Sequence, residues 1–192
     1  MNNYDDIDFL APWCALNKIF GFSPKTGLEA IRHFGSAADI FRADKKELSG
    51  FFGYGSKYTG LISGKALQES AEELTGLKES GGRFICIGDS RYPQMLREDP
   101  PIGLYIKGKT PIEKLDGGRP AIGVIGTRDI TSYGIEWCNR LVAALGRAQI
   151  KPVIISGLAI GTDATAHSAA LDNGLPTIAV MPTGIDGVYP FR

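Results

Sequence analysis

Three short segments combine glycines, hydroxyls and an arginine in the pattern an anion-binding site needs. They are Gly126-Thr127-Arg128, Ser156-Gly157-Leu158-Ala159-Ile160-Gly161-Thr162-Asp163, and Pro182-Thr183-Gly184-Ile185-Asp186-Gly187-Val188-Tyr189-Pro190. Glycine lets the backbone approach a phosphate closely, amides at a following helix start donate to it, and a guanidinium offers a planar fork for its oxygens. The single glycine of the first segment falls short of a dinucleotide fingerprint, and Arg128 on a solvated loop is an equally plain reading. In the second segment, Asp163 or Thr162 is placed to cap the helix that follows. His167 lies one helical turn beyond Asp163 on the same face. One His and one Asp without a nucleophile or metal partner equip an enzyme poorly, so capping or packing is the reading for both. In the third, Thr183 and Gly184 suit an anion, and Tyr189 packs or stacks on a base.

The chain lacks the residues of several other chemistries. There is no GxSxG elbow, no Walker lysine loop, no HExxH, and no acidic residue following a true GxGxxG. The expectation is therefore a pocket that holds phosphate, with no catalytic residue, metal or cofactor. Cys14, Cys86 and Cys138 are odd in number and show no CxxC spacing, which indicates neither a disulfide framework nor a zinc site. Lysine plus arginine (21) equals aspartate plus glutamate (21), so nucleic acid would have to be drawn by a local patch rather than by net charge. The first eight residues are acidic with no basic residue, unlike a signal peptide, and no apolar run approaches a bilayer's thickness. A cytoplasmic chain without a membrane segment is expected.

The elements that must position these loops fall into two blocks. Residues 1–80 read as a small all-α domain. Trp13, Leu16, Ile19 and Phe20 have helix spacing, then Gly21-Phe22-Ser23-Pro24 breaks the pattern and Leu28, Ile31, Arg32 and Phe34 restart it before Gly35. Ser36 begins a helix carrying Ile40 and Phe41, Asp44 with Glu47 has capping-box spacing, and Ser56 to Lys78 reads as one longer helix despite Gly60 and Gly64. Paired short helices around such turns look like a helix-hairpin-helix or sterile-alpha-motif-like module, which presents turn amides to a DNA phosphate. A plain helical bundle with turn glycines is the preferred reading.

Residues 81–192 change period. Arg83 to Ile87 and Leu104 to Lys107 read as strands. From Ala121, strand and helix alternate: Ala121 to Ile125, Thr131 to Arg147, Val153 to Ile155, Ala164 to Asp172, Thr177 to Met181. That alternation argues for a parallel sheet covered on both faces, a Rossmann-like architecture whose ligands gather at the strands' C-terminal ends. All three loops leave those ends. Lys151 precedes its strand, at the far edge.

The combination Ala121-Ile122-Gly123-Val124-Ile125-Gly126-Thr127-Arg128, Thr131-Ser132-Tyr133-Gly134, Ile155 to Ala164, Ala166-His167, Ala169-Ala170-Leu171, Thr177 to Val180, Gly184-Ile185-Asp186 and Tyr189-Pro190 resembles, in order and spacing, the Rossmann-like domain of the DprA/Smf (DNA-processing protein A) family. Tyr92-Pro93, Leu96 and Leu104 fit the same pattern. The resemblance covers roughly Arg83 to the end, and the helical block looks like the family's less distinctive N-terminal domain.

The resemblance implies a non-enzymatic protein of natural transformation and DNA recombination, one that coats incoming single-stranded DNA, binds mainly its phosphates, forms homodimers at full length and loads RecA recombinase. Carried onto this sequence, Arg128 becomes the first phosphate contact, Gly126 and Thr127 shape its loop, and Ser156, Gly157, Gly161, Thr183 and Gly184 line the pocket. Arg192, beside Pro190, stands where the resemblance implies a further basic contact. Two departures matter. Ile160 stands where the family usually has arginine and Thr162 where it has isoleucine, so this loop lacks its basic contribution or has moved it. The resemblance also stops midway through the Rossmann-like domain, so a fragment with an incomplete sheet is expected. The alternative is a nucleotide-binding or phosphoribohydrolase-like Rossmann protein, although the PGGxGT-like loop and paired glutamate of such hydrolases are not present.

Overall fold

The computed structural model describes residues 4–109 and 119–185. It divides into two compact units, Met1–Lys109 and Thr110–Arg192.

The first unit opens with six helices, most of them started by a polar side chain. Asp6 accepts from the Asp8 amide ahead of α1 (Ile7–Ile19), and α2 (Pro24–Phe34) stops at Gly35. Ser36 accepts from the Asp39 amide to start α3 (Ala37–Arg42). The capping box forms as its spacing predicts: Asp44 accepts from the Glu47 amide and Glu47 from the Asp44 amide, both at 2.8 Å, ahead of α4 (Lys45–Phe52). The long helix expected from Ser56 to Lys78 is instead two, α5 (Lys57–Leu61) and α6 (Gly64–Glu79). Ile62 between them is extended and buried with Leu16, Phe20, Ile40 and Leu48, and Ser63 restarts the helix by accepting from the Ala66 amide at 3.3 Å. Burying Ile62 and capping α6 outweigh a continuous helix already weakened by Gly60 and Gly64.

Strands β1 (Gly82–Cys86) and β2 (Gly103–Lys107) pair antiparallel, with Phe84 opposite Tyr105. They belong to the first unit: α1 and α6 pack on β1, and Ile102, just before β2, enters the helical core. The connection between them is fixed internally. Buried Asp89 accepts from the Arg91 amide and guanidinium at 2.7–3.1 Å, and the Tyr92 hydroxyl donates to the Pro101 carbonyl at 2.9 Å. All three cysteines are buried free thiols.

The second unit runs β3 (Ala121–Gly123), α7 (Ser132–Gly146), β4 (Val153–Ser156), α8 (Thr162–Asp172) and β5 (Thr177–Ala179). The strands are parallel in the order β3-β4-β5, with Ile122 beside Ile154 and Ile154 beside Thr177. This is the Rossmann-like α/β arrangement expected, preceded by helices, but among the described residues its helices lie on one face rather than two. Right-handed crossovers between strands added in sequence order always return on the same side. There α7 and α8 pack together over Ile122, Val124 and Ile154, with Cys138, Val142, Ala166, Ala169, Ala170 and Leu175 completing the core. No helix among the described residues is long and apolar enough to cross a membrane.

Candidate functional site

The three glycine-rich loops emerge from the C-terminal ends of β3, β4 and β5, because the strands are parallel. The first two are joined backbone to backbone. The Thr162 amide and hydroxyl both donate to the Thr127 carbonyl, each at 3.1 Å. A Cβ at Gly161 would overlap the carbonyls of Thr127 and Arg128, and its φ of +88° is one that only glycine adopts readily. A Cβ at Gly126 would lie 2.5 Å from the Thr162 hydroxyl. These two glycines set the closeness of the loops. Thr127 also folds the first loop on itself, its hydroxyl accepting from the Asp129 amide at 3.1 Å.

The outcome for Arg128 is a fixed backbone carrying an unused head. Its carbonyl lies against Gly161, while its side chain is exposed and has no partner among the described residues. Just beyond it, Thr131 accepts from the Gly134 amide at 3.2 Å and starts α7.

The second loop contains a feature that residue types do not signal. Leu158 has φ +59°, the left-handed region, and is the one such non-glycine among the described residues. Asp163 holds it there: one carboxylate oxygen accepts from the amides on either side, Gly157 at 3.2 Å and Ala159 at 3.4 Å. The expectation that Asp163 or Thr162 caps α8 is therefore corrected. Gly161 occupies the cap position, Asp163 sits inside the first turn, and both side chains reach back to the loops instead. Both side chains are committed to the loops: Thr162 to the Thr127 carbonyl, Asp163 to the Gly157 and Ala159 amides.

Ser156 is buried, and its hydroxyl donates to the Val124 carbonyl at 2.6 Å. It ties β4 to the strand bearing the first loop rather than offering that proton to a ligand. Gly157 lies under Asp163, where a Cβ would come within 2.9 Å of the carboxylate. The third loop starts where the Val180 amide donates to the Ser156 carbonyl at 2.8 Å. Within it, Gly184 is exposed, and the Thr183 hydroxyl is buried without a partner among the described residues. Tyr189 and Arg192 lie outside the described residues.

His167 packs behind this edge. Thr177 donates its hydroxyl proton to the Ile154 carbonyl at 3.0 Å, so its oxygen accepts from His167 Nδ1, 2.6 Å away, and Nε2 is left unprotonated and buried. Burial pushes the imidazole below its ordinary pKa, against the opposing pull of Asp163. A neutral ring held through Nδ1 and buried against this edge is a packing group. Lys151 is at the opposite edge, its ammonium donating to the Gly174 carbonyl at 3.3 Å.

The chain resembles known proteins in sequence and in fold. The family described as DNA recombination-mediator protein A matches residues 83–192, more than half of the chain. Protein Smf of Synechocystis sp. is 32% identical over 94% of this chain and 46% of its own length. DNA processing protein DprA of Streptococcus pneumoniae is 39% identical over 55% of this chain and 36% of its own length, and the corresponding protein of Bacillus subtilis is 37% identical over 61% and 38%. The X-ray structure of DNA processing protein A from Streptococcus pneumoniae superimposes with a TM-score of 0.64 at 26% identity, covering 91% of this chain and 58% of that one. The chain thus spans about half the length of the curated relatives it matches, or less. With the family match over residues 83–192, the identity to Smf and the shared fold in agreement, the chain belongs to the DNA recombination-mediator protein A, or DprA/Smf, family.

Proposed function

We propose that this chain is the single-stranded-DNA-binding part of a DNA-processing protein acting in recombination and natural transformation, and that phosphates bind on the loops following β3, β4 and β5. Arg128 is the principal contact, Gly126, Thr127, Gly157 and Gly161 set the loop shape, Thr183 and Gly184 line the third side, and Arg192 adds a cation. Ser156 acts through the backbone it ties down. The observation that carries the reading is Arg128: an exposed guanidinium without a partner among the described residues, on a loop whose backbone is pinned by Thr162 and Gly161. The pinned backbone fixes where the side chain starts, and its planar fork suits phosphate oxygens. Binding rather than catalysis is supported by the engagement of His167 and Asp163 in holding structure. The names of the relatives, DNA processing protein among them, support the wider role. In the whole protein, homodimer formation and transfer of the strand to RecA in the cytoplasm complete the proposal.

The test is fluorescence anisotropy of a labelled single-stranded oligonucleotide over a salt series. Each phosphate contact contributes about 0.7 to the slope of log affinity against log salt. Arg128→Ala should weaken binding roughly tenfold, the low end of a charge-assisted bond, and reduce the slope by about 0.7. Unchanged affinity and slope in Arg128→Ala would remove the sheet edge as the binding site.

A further inference from the structure

Two stretches of the first unit repeat one pattern. Phe20-Gly21-Phe22-Ser23-Pro24-Lys25-Thr26-Gly27-Leu28 and Phe52-Gly53-Tyr54-Gly55-Ser56-Lys57-Tyr58-Thr59-Gly60-Leu61 both carry, in order, phenylalanine, glycine, an aromatic, serine, lysine, threonine, glycine and leucine. Each links one helix to the next, α1 to α2 and α4 to α5. The leading phenylalanines turn inward and meet: Phe20 stacks on Phe52 at 5.7 Å between centroids, and Tyr58 lies 4.6 Å from Phe20 and 5.5 Å from Phe52. This three-ring cluster brings the two turns together.

The second aromatic of each turn does the opposite. Phe22 and Tyr54 are fully exposed, at 108% and 91%. Each stands two residues beyond one of the stacked phenylalanines, so the repeat presents two rings to solvent from adjoining turns. Folding gains nothing from rings left in water, yet they occupy equivalent positions of both copies. Each ring is followed three residues later by a lysine, Lys25 or Lys57, and neither stretch contains an acidic residue. Among the described residues Lys25 forms only a solvent-exposed pair with Asp99 at 3.4 Å, and Lys57 lies 5.3 Å over the Tyr58 ring. Exposed pairs of this kind are readily given up to a stronger anion.

An exposed ring followed three residues later by a lysine, present twice, supplies groups for the two parts of a nucleotide: the base stacks on the ring and the phosphate meets the ammonium. We propose that Phe22 and Tyr54, with Lys25 and Lys57, form a second single-stranded nucleic-acid contact in the helical unit, one that engages bases where the sheet edge engages phosphates. The inference rests on the reading that this chain binds single-stranded DNA. It differs from that reading in residues, in unit and in the part of the nucleotide held.

The test uses the 192-residue chain with labelled oligo(dT) and the same oligonucleotide carrying abasic sites, comparing wild type, Phe22→Ala/Tyr54→Ala and Arg128→Ala. Both rings are exposed, so the double variant should melt as wild type does. At the low end of base stacking, each ring contributes about fivefold, so the double variant should bind oligo(dT) roughly 25-fold more weakly. On the abasic strand, wild type and double variant should bind alike, whereas Arg128→Ala should lose the same factor on both strands. Oligo(dT) binding unchanged in the double variant, with Arg128→Ala impaired, overturns this proposal, leaves the sheet-edge reading standing and assigns the rings to a protein partner. Loss in the double variant with Arg128→Ala unaffected supports the stacking site and removes the sheet edge. No binding of either strand by wild type overturns both.

Discussion

Asp163 is the residue on which the shape of the second loop depends, and its replacement gives a measurable stability change. One carboxylate oxygen accepts from Gly157 at 3.2 Å and Ala159 at 3.4 Å, with Leu158 held left-handed between them. These bonds are long for a charged acceptor, so each is taken at the low end, about 1.5 kcal/mol. Its place in the first turn of α8 adds about 0.5 kcal/mol through the helix dipole. Against this, releasing Leu158 from the left-handed region returns about 1 kcal/mol. Asp163→Ala should therefore destabilise the second unit by about 2–3 kcal/mol on these magnitudes. Asp163→Asn keeps an acceptor oxygen in the same place and should cost only about 1 kcal/mol, for the lost charge. The assay is urea unfolding followed through Trp137 on α7, in a Trp13→Phe background so that the first unit stays silent. Equal losses in the two variants would mean that charge, rather than an acceptor shared by two amides, is what matters. Losses below about 0.5 kcal/mol in both, within the range of an ordinary surface substitution, would refute the clamp altogether.

Two further outcomes follow from the same edge. Gly161→Ala places a methyl against the carbonyls of Thr127 and Arg128 at φ +88° and should destabilise the unit by about 1–3 kcal/mol while misplacing Arg128, read as a lower melting temperature and weaker DNA binding. For His167, burial depresses the folded pKa below the unfolded value of about 6.5, so between the two values the unfolded state binds more protons. The neutral ring's contribution is present above about pH 6.5 and is lost as pH falls through the folded value. Melting temperature should fall on acidification below that pH, and His167→Gln should flatten the dependence; a parallel curve in that variant would assign the loss to other groups.

Much of the frame was legible in local chemistry. The Asp44–Glu47 box, the stop at Gly35 and the start at Thr131 depend on bonds within a few residues, so spacing alone located them. The alternation of strand and helix after Ala121 likewise implied parallel strands, and parallel strands put all three glycine loops at one edge. What spacing could not reach were interactions between segments distant in the chain. Whether Ser56 to Lys78 is one helix or two was decided by burial of Ile62 against residues of α1, α3 and α4. The Ser156 hydroxyl was committed to Val124, 32 residues away, only once β3 and β4 had paired. Leucine carries no mark of a left-handed backbone either; the Asp163 carboxylate, though close in sequence, holds it only where the loop turns back over the start of α8. Which residue types stand on each loop, and which edge the loops share, could be read directly from the chain, because those follow from local propensity and strand direction. Tertiary contacts settled which polar groups are consumed in holding the loops and which, like the Arg128 guanidinium, have no partner among the described residues, because a donor or acceptor is spent only when folding brings its partner within bonding distance.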